Sequence, residues 1–337
     1  MHNHHHHAKR VLFLLKEHSY GNYTIAKSGL LNSVKHLVKA LMFFRLVREA
    51  EIKICVDANS IDRELHLFKP NICFIEAIWV TGKKLLELRK LHPKVTFIVR
   101  VHSNIPFLAM EGNAIERLRE YKRIPGVYVS FNNQFTSEYL MGVLPNAYLP
   151  NVYFHGEKCG RFELQKNFIH IGCFGSLRPL KNQLIQAVAA INYGNNNDTL
   201  VKFHINSSRI EQQGEGVLKN MRALFRGTLH ELVEHKWMSP EDFHKIVRNM
   251  DIGLQVSFTE SFNIVTANFV TEEIPIIVSE DIDWMPSSMR VKATDAVAIE
   301  SKIREVLRNK KRFVRRQTKA LNEYNDTAIQ VWEGFLR

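Results

Sequence analysis

The stretch that decides the fold is Val256–Ser279, VSFTESFNIVTANFVTEEIPIIVS. It continues an apolar strand, Asp251–Val256, into a polar turn that holds one acid, Glu260. Phe262 to about Glu273 has helical character, and Pro275 opens a second apolar strand, Ile276–Val278. A buried strand that feeds a loop and then a helix belongs to a parallel sheet. The loop then lies at the sheet's carboxyl edge, where open α/β proteins bind ligands. Backbone amides opening the helix have no intrahelical partner and favour an anion. Glu260 cannot partner that anion, so its carboxylate is suited to accept hydrogen bonds from hydroxyls. Phosphate together with hydroxyls points to a sugar nucleotide.

Upstream of this stretch, strands and helices alternate. Arg10–Leu15 (RVLFLL) reads as a buried strand, and a polar loop from Lys16 to Ser28 contains Gly21 and Asn22 and ends at Gly29. Leu30, Val34, Leu37, Val38 and Leu41 then recur at helical spacing. Strands are expected at Ile52–Val56, Ile72–Ile75, Val95–Val101 and Val127–Ser130, with helices at Lys83–Leu91, Glu111–Tyr121 and Gln134–Met141. Residues 151–167 lose the period and carry Gly156 and Gly160, which suits a linker between a domain at 9–150 and another at 168–310.

The alternation restarts with strand Phe168–Phe174, the loop Gly175–Pro179 and a helix at Asn182–Ala190. Asn192–Asp198 (NYGNNND) reads as a turn, followed by strand Leu200–Ile205, helix Gly216–Phe225 and strand Leu229–Val233. Ser239-Pro240-Glu241-Asp242 combines an N-cap, a first-turn proline and early acids, a strong helix start. A helix at Asp295–Leu307 and a basic helical segment, 311–337, close the chain. The fold class is therefore α/β, with two doubly wound Rossmann-like domains facing a cleft and the terminal helix crossing back to the first.

Composition narrows the function classes. Lys and Arg exceed Asp and Glu by 46 − 34 = 12, with a sequence pI near 9.5, which suits anionic partners. No run of about 20 apolar residues occurs, so no membrane span is expected. Cys55, Cys73, Cys159 and Cys173 are widely spaced and form no Cys-x-x-Cys pair, which points to a reducing, cytoplasmic setting without structural zinc. MHNHHHH at residues 1–7 is tag-like, and its histidines are left out of site reasoning. Glycine-rich dinucleotide, Walker, His-Glu-x-x-His and Gly-x-Ser-x-Gly motifs are all missing from the sequence.

Three further segments carry chemistry. Gly172–Asn182 (GCFGSLRPLKN) runs from a strand through Gly175 and Ser176 to a helix start, with Arg178 and Lys181 on one loop. Two cations beside a helix N-terminus are unfavourable unless an anion joins them, and a diphosphate suits the pair. A glycine-capped, solvated basic turn is the other reading. His102, in RVHSN at a strand's end, could bind a sugar hydroxyl or phosphate or serve as a structural hydrogen-bonder. Asn206 follows the strand Leu200–Ile205 in another polar strand end, Phe203–Arg209, and lies on the same edge.

Together, GSLRPLKN, TESFNIVTANFVTEEIPIIVS and RVHSNIPFL resemble the GT-B retaining glycosyltransferases, family 4 in particular. The resemblance implies that Arg178 and Lys181 hold a nucleotide diphosphate and that Glu260 contacts hydroxyls of the donor sugar. It places His102 near the reacting carbon, so His102, Glu260, Arg178 and Lys181 form the implied catalytic set. Gly175, Ser176, Asn206, Phe262, Asn263, Ile264 and Asn268 complete the donor side, while Gly21, Asn22 and Gly29 lie on the acceptor side. Asn268 stands eight positions after Glu260, where the family carries a second acid that binds ribose. The implied activity is metal-independent, retaining transfer of a hexose-like unit from a UDP- or GDP-sugar. No cofactor is implied, and the acceptor is a glycan or lipid-linked sugar. The net charge also permits DNA, as for viral enzymes that glycosylate modified bases, or peripheral contact with an anionic membrane. A non-catalytic sugar-nucleotide-binding protein is the reading from another class.

Overall fold

In the computed structural model the described residues are 9–20, 23–154 and 167–337. They divide into two units. The first contains β1 (Arg10–Lys16), and the chain then forms a short hairpin, β2 (Ser19–Tyr20) and β3 (Tyr23–Thr24), that groups with the second unit. The first unit continues with α1 (Gly29–Phe43), β4 (Glu49–Cys55), α2 (Ile61–Phe68), β5 (Ile72–Glu76), α3 (Gly82–Leu91) and β6 (Thr96–Val101). It goes on through α4 (Ile105–Leu108), α5 (Ala114–Lys122), β7 (Val127–Phe131), α6 (Gln134–Leu140) and β8 (Ala147–Tyr148). Its sheet is parallel throughout, in the order β4-β1-β5-β6-β7-β8.

Strands covered on both faces need apolar residues on both, which is why β1 and β5 are near-continuous hydrophobic runs. Phe13 and Phe74 stack across them with ring centroids 4.7 Å apart. Leu31, Val34, Leu37 and Leu41 give α1 its buried stripe, and Ser28 caps it by accepting from the Leu31 amide at 3.0 Å.

The second unit contains β9 (Ile169–Gly172), α7 (Gln183–Asn196), β10 (Val201–Asn206), α8 (Gly214–Phe225), β11 (Glu231–His235) and α9 (Pro240–Val247). It continues with β12 (Ile252–Gln255), α10 (Ile264–Thr271), β13 (Ile276–Ser279), β14 (Arg290–Val291) and α11 (Ala296–Arg308). The order is β11-β10-β9-β12-β13-β14, again parallel. The last helix, α12 (Lys310–Leu336), lies with the second unit as far as Tyr324 and with the first from Asn325 onward. Within the first unit, fully buried Trp332 donates to the Pro150 carbonyl at 2.8 Å and meets Phe74 edge-on.

The expected turn at Asn192–Asp198 is helix as far as Asn196. Ile191, Tyr193 and Gly194 are buried there, and Asn197 closes α7 by donating its side-chain amide to the Tyr193 carbonyl at 2.8 Å. The loop before Gly29 holds the β2–β3 hairpin, α2 fills a gap left unassigned between β4 and β5, and α10 is shorter at both ends than its sequence pattern. Gly21, Asn22, Cys159 and most of the expected linker lie outside the described residues.

Candidate functional site

Strand order locates the site in the second unit. From β9 the chain adds β10 and β11 on one side, then returns to place β12, β13 and β14 on the other. The loops leaving the carboxyl ends of β9 and β12 therefore diverge at the switch point, where open sheets leave a crevice. Those loops are Cys173–Asn182, with Gly175, Arg178 and Lys181, and Val256–Asn263, with Glu260. Topology brings together the residues singled out from the sequence.

Their side chains meet. Lys181 Nζ donates to Glu260 Oε1 at 2.5 Å, and Arg178 Nη1 donates to Glu211 Oε2 at 3.0 Å. Arg209 Nε holds the other oxygen of Glu211 at 2.7 Å. Burial opposes the charge on Glu260, but Lys181 and Arg178 outweigh it and hold the carboxyl below its usual range. Burial likewise lowers Lys181, against the pull of Glu260. Glu211 is held down by Arg209 and Arg178 despite its own desolvation. The loop cations are thus each matched by a carboxylate, Lys181 by Glu260 and Arg178 by Glu211.

Backbone geometry keeps this arrangement in place. Gly175 has φ +126°, a region that L side chains rarely adopt, and its amide donates to Asn206 Oδ1 at 2.8 Å. The Ser176 carbonyl accepts from Gln183 at 2.9 Å, and Leu177 pairs with the 209–211 segment. Asn182, at φ +59°, donates to the carbonyls of Val256 (2.8 Å) and Ala293 (2.7 Å). Gln186 accepts from the Val256 amide, and Gln255 donates to the Phe174 carbonyl while accepting from Asn263. The two loops are tied by side-chain amides rather than by apolar packing alone.

Asn263 caps α10, its Oδ1 accepting from the Thr266 amide and hydroxyl at 2.8 Å each. Ile264 is the first residue of the helix, so its amide falls among the first-turn donors without an intrahelical acceptor. The Phe262 ring is buried between Trp284 and Tyr324, so that side chain belongs to the aromatic packing under the loop. Asn268 is buried within α10, about one and a half turns beyond the loop. One acid escaped the sequence reading. Asp281, just after β13, accepts from the Glu260 amide at 3.2 Å, and burial raises its pKa. Its signal was its position at the carboxyl end of the next strand.

His102 lies in the first unit at the end of β6. Its Nε2 is hydrogen-bonded to Glu76, and its Nδ1 faces the Asn132 amide at 3.2 Å. Glu76 is fully buried and also receives Arg100 Nε at 3.1 Å. Arg100 in turn donates to the carbonyls of Leu149 and Pro150 and to Asn151. An acid and a guanidinium inside strands that are otherwise apolar are costly unless paired, and that cost was the signal for Glu76 and Arg100. Gly29 opens α1 as its first residue. Among the described residues no group of three or more His, Cys, Asp or Glu is arranged to hold a metal ion.

Comparison with solved structures settles the architecture. Sucrose-phosphate synthase from Thermosynechococcus elongatus superposes with a TM-score of 0.66 at 12% identity, covering 97% of this chain and 98% of that one. Anabaena HepE, solved with UDP and glucose, gives 0.63 at 12% identity over 97% of both chains. A UDP-forming α,α-trehalose-phosphate synthase from Burkholderia xenovorans gives 0.62 at 10% identity, again over 97% of both. The fold is GT-B. No family model matches the sequence, and no curated protein matches it. No helix among the described residues is long and apolar enough to cross a membrane.

Proposed function

We propose that this GT-B chain is a retaining glycosyltransferase that moves a sugar from a UDP- or GDP-linked donor to an acceptor hydroxyl. One observation carries the reading. At the switch point of the second sheet, Arg178 and Lys181 share a loop crevice with a buried, ionised carboxylate, Glu260. Two cations suit a diphosphate, and the carboxylate suits sugar hydroxyls. As the bond to the sugar breaks, negative charge grows on the leaving nucleoside diphosphate. Preorganised cations stabilise that charge directly, so the chemistry needs no metal or cofactor.

Donor binding on these residues exchanges partners. The phosphates take over Arg178 and Lys181, and Glu260 turns from an ammonium to hydroxyls. Gly175, at its positive φ, lets the backbone approach the phosphates, with Ser176 beside it and the amides of Asn263 and Ile264 opening α10. Asn206 sets the Gly175 amide, and Asn268 offers an amide where a second acid would meet ribose. In the first unit, Glu76 and Asn132 orient His102 for the sugar. The acceptor is a glycan or lipid-linked sugar bound on the Gly21, Asn22 and Gly29 side, and the reaction runs in the cytoplasm.

The test is a thermal-shift screen of UDP-, GDP- and ADP-sugars on the purified protein, followed by a transfer assay. A ligand at 100 times its Kd stabilises by about 2.7 kcal/mol, so a true donor is visible. The reading fails if no nucleotide sugar shifts the midpoint, or if Arg178→Ala and Glu260→Ala leave turnover unchanged.

A further inference from the structure

From Val306 to Asn322 the chain carries seven cations, Arg308, Lys310, Lys311, Arg312, Arg315, Arg316 and Lys319, and no Asp or Glu. On α12, positions 311, 312, 315 and 319 fall within about a 100° arc, a straight stripe of about 12 Å rise. All four of those residues are exposed. Two features make the stripe costly to the protein itself. Like charges three and four residues apart repel, and three of the seven cations sit in the first turn of α12, where the helix dipole disfavours them. Little nearby relieves it. Lys310 meets Asp251 at 3.3 Å, and Lys319 reaches Glu323 at 3.7 Å between two well-exposed side chains. Among the described residues no carboxylate is recorded against Lys311, Arg312 or Arg315. Structure does not require these charges either, since Phe313, Gln317 and Leu321 form the buried face.

We infer that the Lys311–Lys319 stripe binds the phosphate backbone of a nucleic-acid duplex, independently of base sequence. Chemistry separates this partner from the others a basic helix could take. An interfacial membrane helix needs an apolar face for the bilayer, but no large apolar side chain of α12 is exposed among the described residues. Single strands are gripped by stacking bases on exposed aromatics, and Phe313, the aromatic within the Lys311–Lys319 segment, is buried. What remains is a line of forked and point charges, which suits regularly spaced phosphates. The stripe also lies away from the nucleotide crevice. Gln317 bonds the amide of Ile276, the first residue of β13, and Lys310 bonds Asp251, just before β12. Both contacts mark the amino edge of the sheet, opposite the carboxyl-edge loops with Arg178 and Glu260. It is therefore a docking surface, and it stands whether or not the transferase reading holds.

The experiment is fluorescence anisotropy on the full chain with a labelled 24-base-pair DNA duplex, the matching RNA duplex and a single strand, from about 50 to 300 mM salt. Wild type should bind duplexes with a log–log salt slope of about −3 to −4, near −0.9 for each phosphate contact. The variant Lys311→Gln/Arg312→Gln/Arg315→Gln/Lys319→Gln should lose at least about tenfold in affinity at 50 mM salt, with a markedly flatter slope. Its thermal midpoint should be no lower than wild type, which excludes misfolding. A control, Lys35→Gln/Lys39→Gln/Arg45→Gln/Arg48→Gln, removes four cations from the first unit and should bind as wild type does. Three results would overturn the inference: no duplex binding at 50 mM salt, equal losses in both variants, or a single strand preferred over the duplexes. So would stripe-dependent binding to phosphatidylserine vesicles with duplex binding unaffected.

Discussion

Glu260→Gln keeps the shape of the side chain and removes the charge that Lys181 meets at 2.5 Å. The two side chains are only 8% and 13% exposed, so water cannot stand in for the lost carboxylate. Removing one partner of a buried ion pair costs about 3–5 kcal/mol. The glutamine oxygen still accepts from the ammonium, which puts the expected loss near the lower end, about 3 kcal/mol. At about 2–4 °C per kcal/mol for a unit of this size, the midpoint of the second unit falls by about 6–12 °C. The loss depends on pH in a defined direction. Glu260 is held below its usual value of 4.5, because Lys181 and Arg178 outweigh the burial that would raise it. Such an acid adds stability that is fully present above its unfolded pKa and is lost as pH falls through the folded one. The gap between wild type and variant should therefore be full at pH 7, begin to close below about 4.5, and shrink further toward pH 3. Urea denaturation at pH 7, 5, 4 and 3.5 measures it, read by fluorescence of Trp237 and Trp284, which both belong to the second unit. A deficit under about 1 kcal/mol at pH 7, or one that stays constant down to pH 3.5, would refute the matched-pair reasoning.

Four other outcomes are expected. Arg178→Ala or Lys181→Ala should each weaken UDP binding by about 10- to 150-fold in calorimetry, the worth of a hydrogen bond to a charged group at about 1.5–3 kcal/mol. Asn182→Ala strands the carbonyls of Val256 and Ala293 and places alanine at φ +59°, so urea titration should show a loss of about 2–4 kcal/mol, with Asn182→Gly losing less. Trp332→Ala empties a fully buried site beside Phe74 and Arg100 and should destabilise the first unit by about 3–5 kcal/mol in the same measurement. The four-glutamine stripe variant removes like-charge neighbours worth about 0.2–0.5 kcal/mol each, so its melting midpoint should rise by a few degrees, about 2–4 °C.

The alternation of strands and helices was legible because parallel strands buried on both faces are near-continuous apolar runs, as RVLFLL, ICFIE and IIVS are. The Asn192–Asp198 run misled because asparagine and glycine favour turns in isolation, whereas buried Tyr193 and Gly194 pay for another helical turn through packing. The β2–β3 hairpin was hidden for a different reason. Its two-residue strands are too short to show a period, and Tyr23 is fixed by distant partners, Trp237 edge-on and Arg209 over its ring.

At the site, Gly175, Arg178, Lys181 and Glu260 could be read because loop glycines, cations and a lone acid stand out against apolar strands. Residues that hold them could not, because Asn182, Gln186 and Gln255 tie the loops together through bonds that span 70 or more positions of sequence. Asn268 is where the two kinds of evidence meet. Asn268 is buried within α10, and a charge placed there is desolvated at a cost. The buried acid of this region is instead Glu272, one turn later, matched by His244 and Arg248, which with its hydrogen bonds outweigh burial and hold it near a pKa of about 2. Arg248 and His244 are thus already committed to Glu272. Asn268→Glu should therefore lower stability of the free protein and recover part of it when a ribose-bearing ligand binds. Thermal shift with UDP against inorganic diphosphate separates the two: recovery with diphosphate alone would place the contact on phosphate rather than ribose and remove Asn268 from the ribose site.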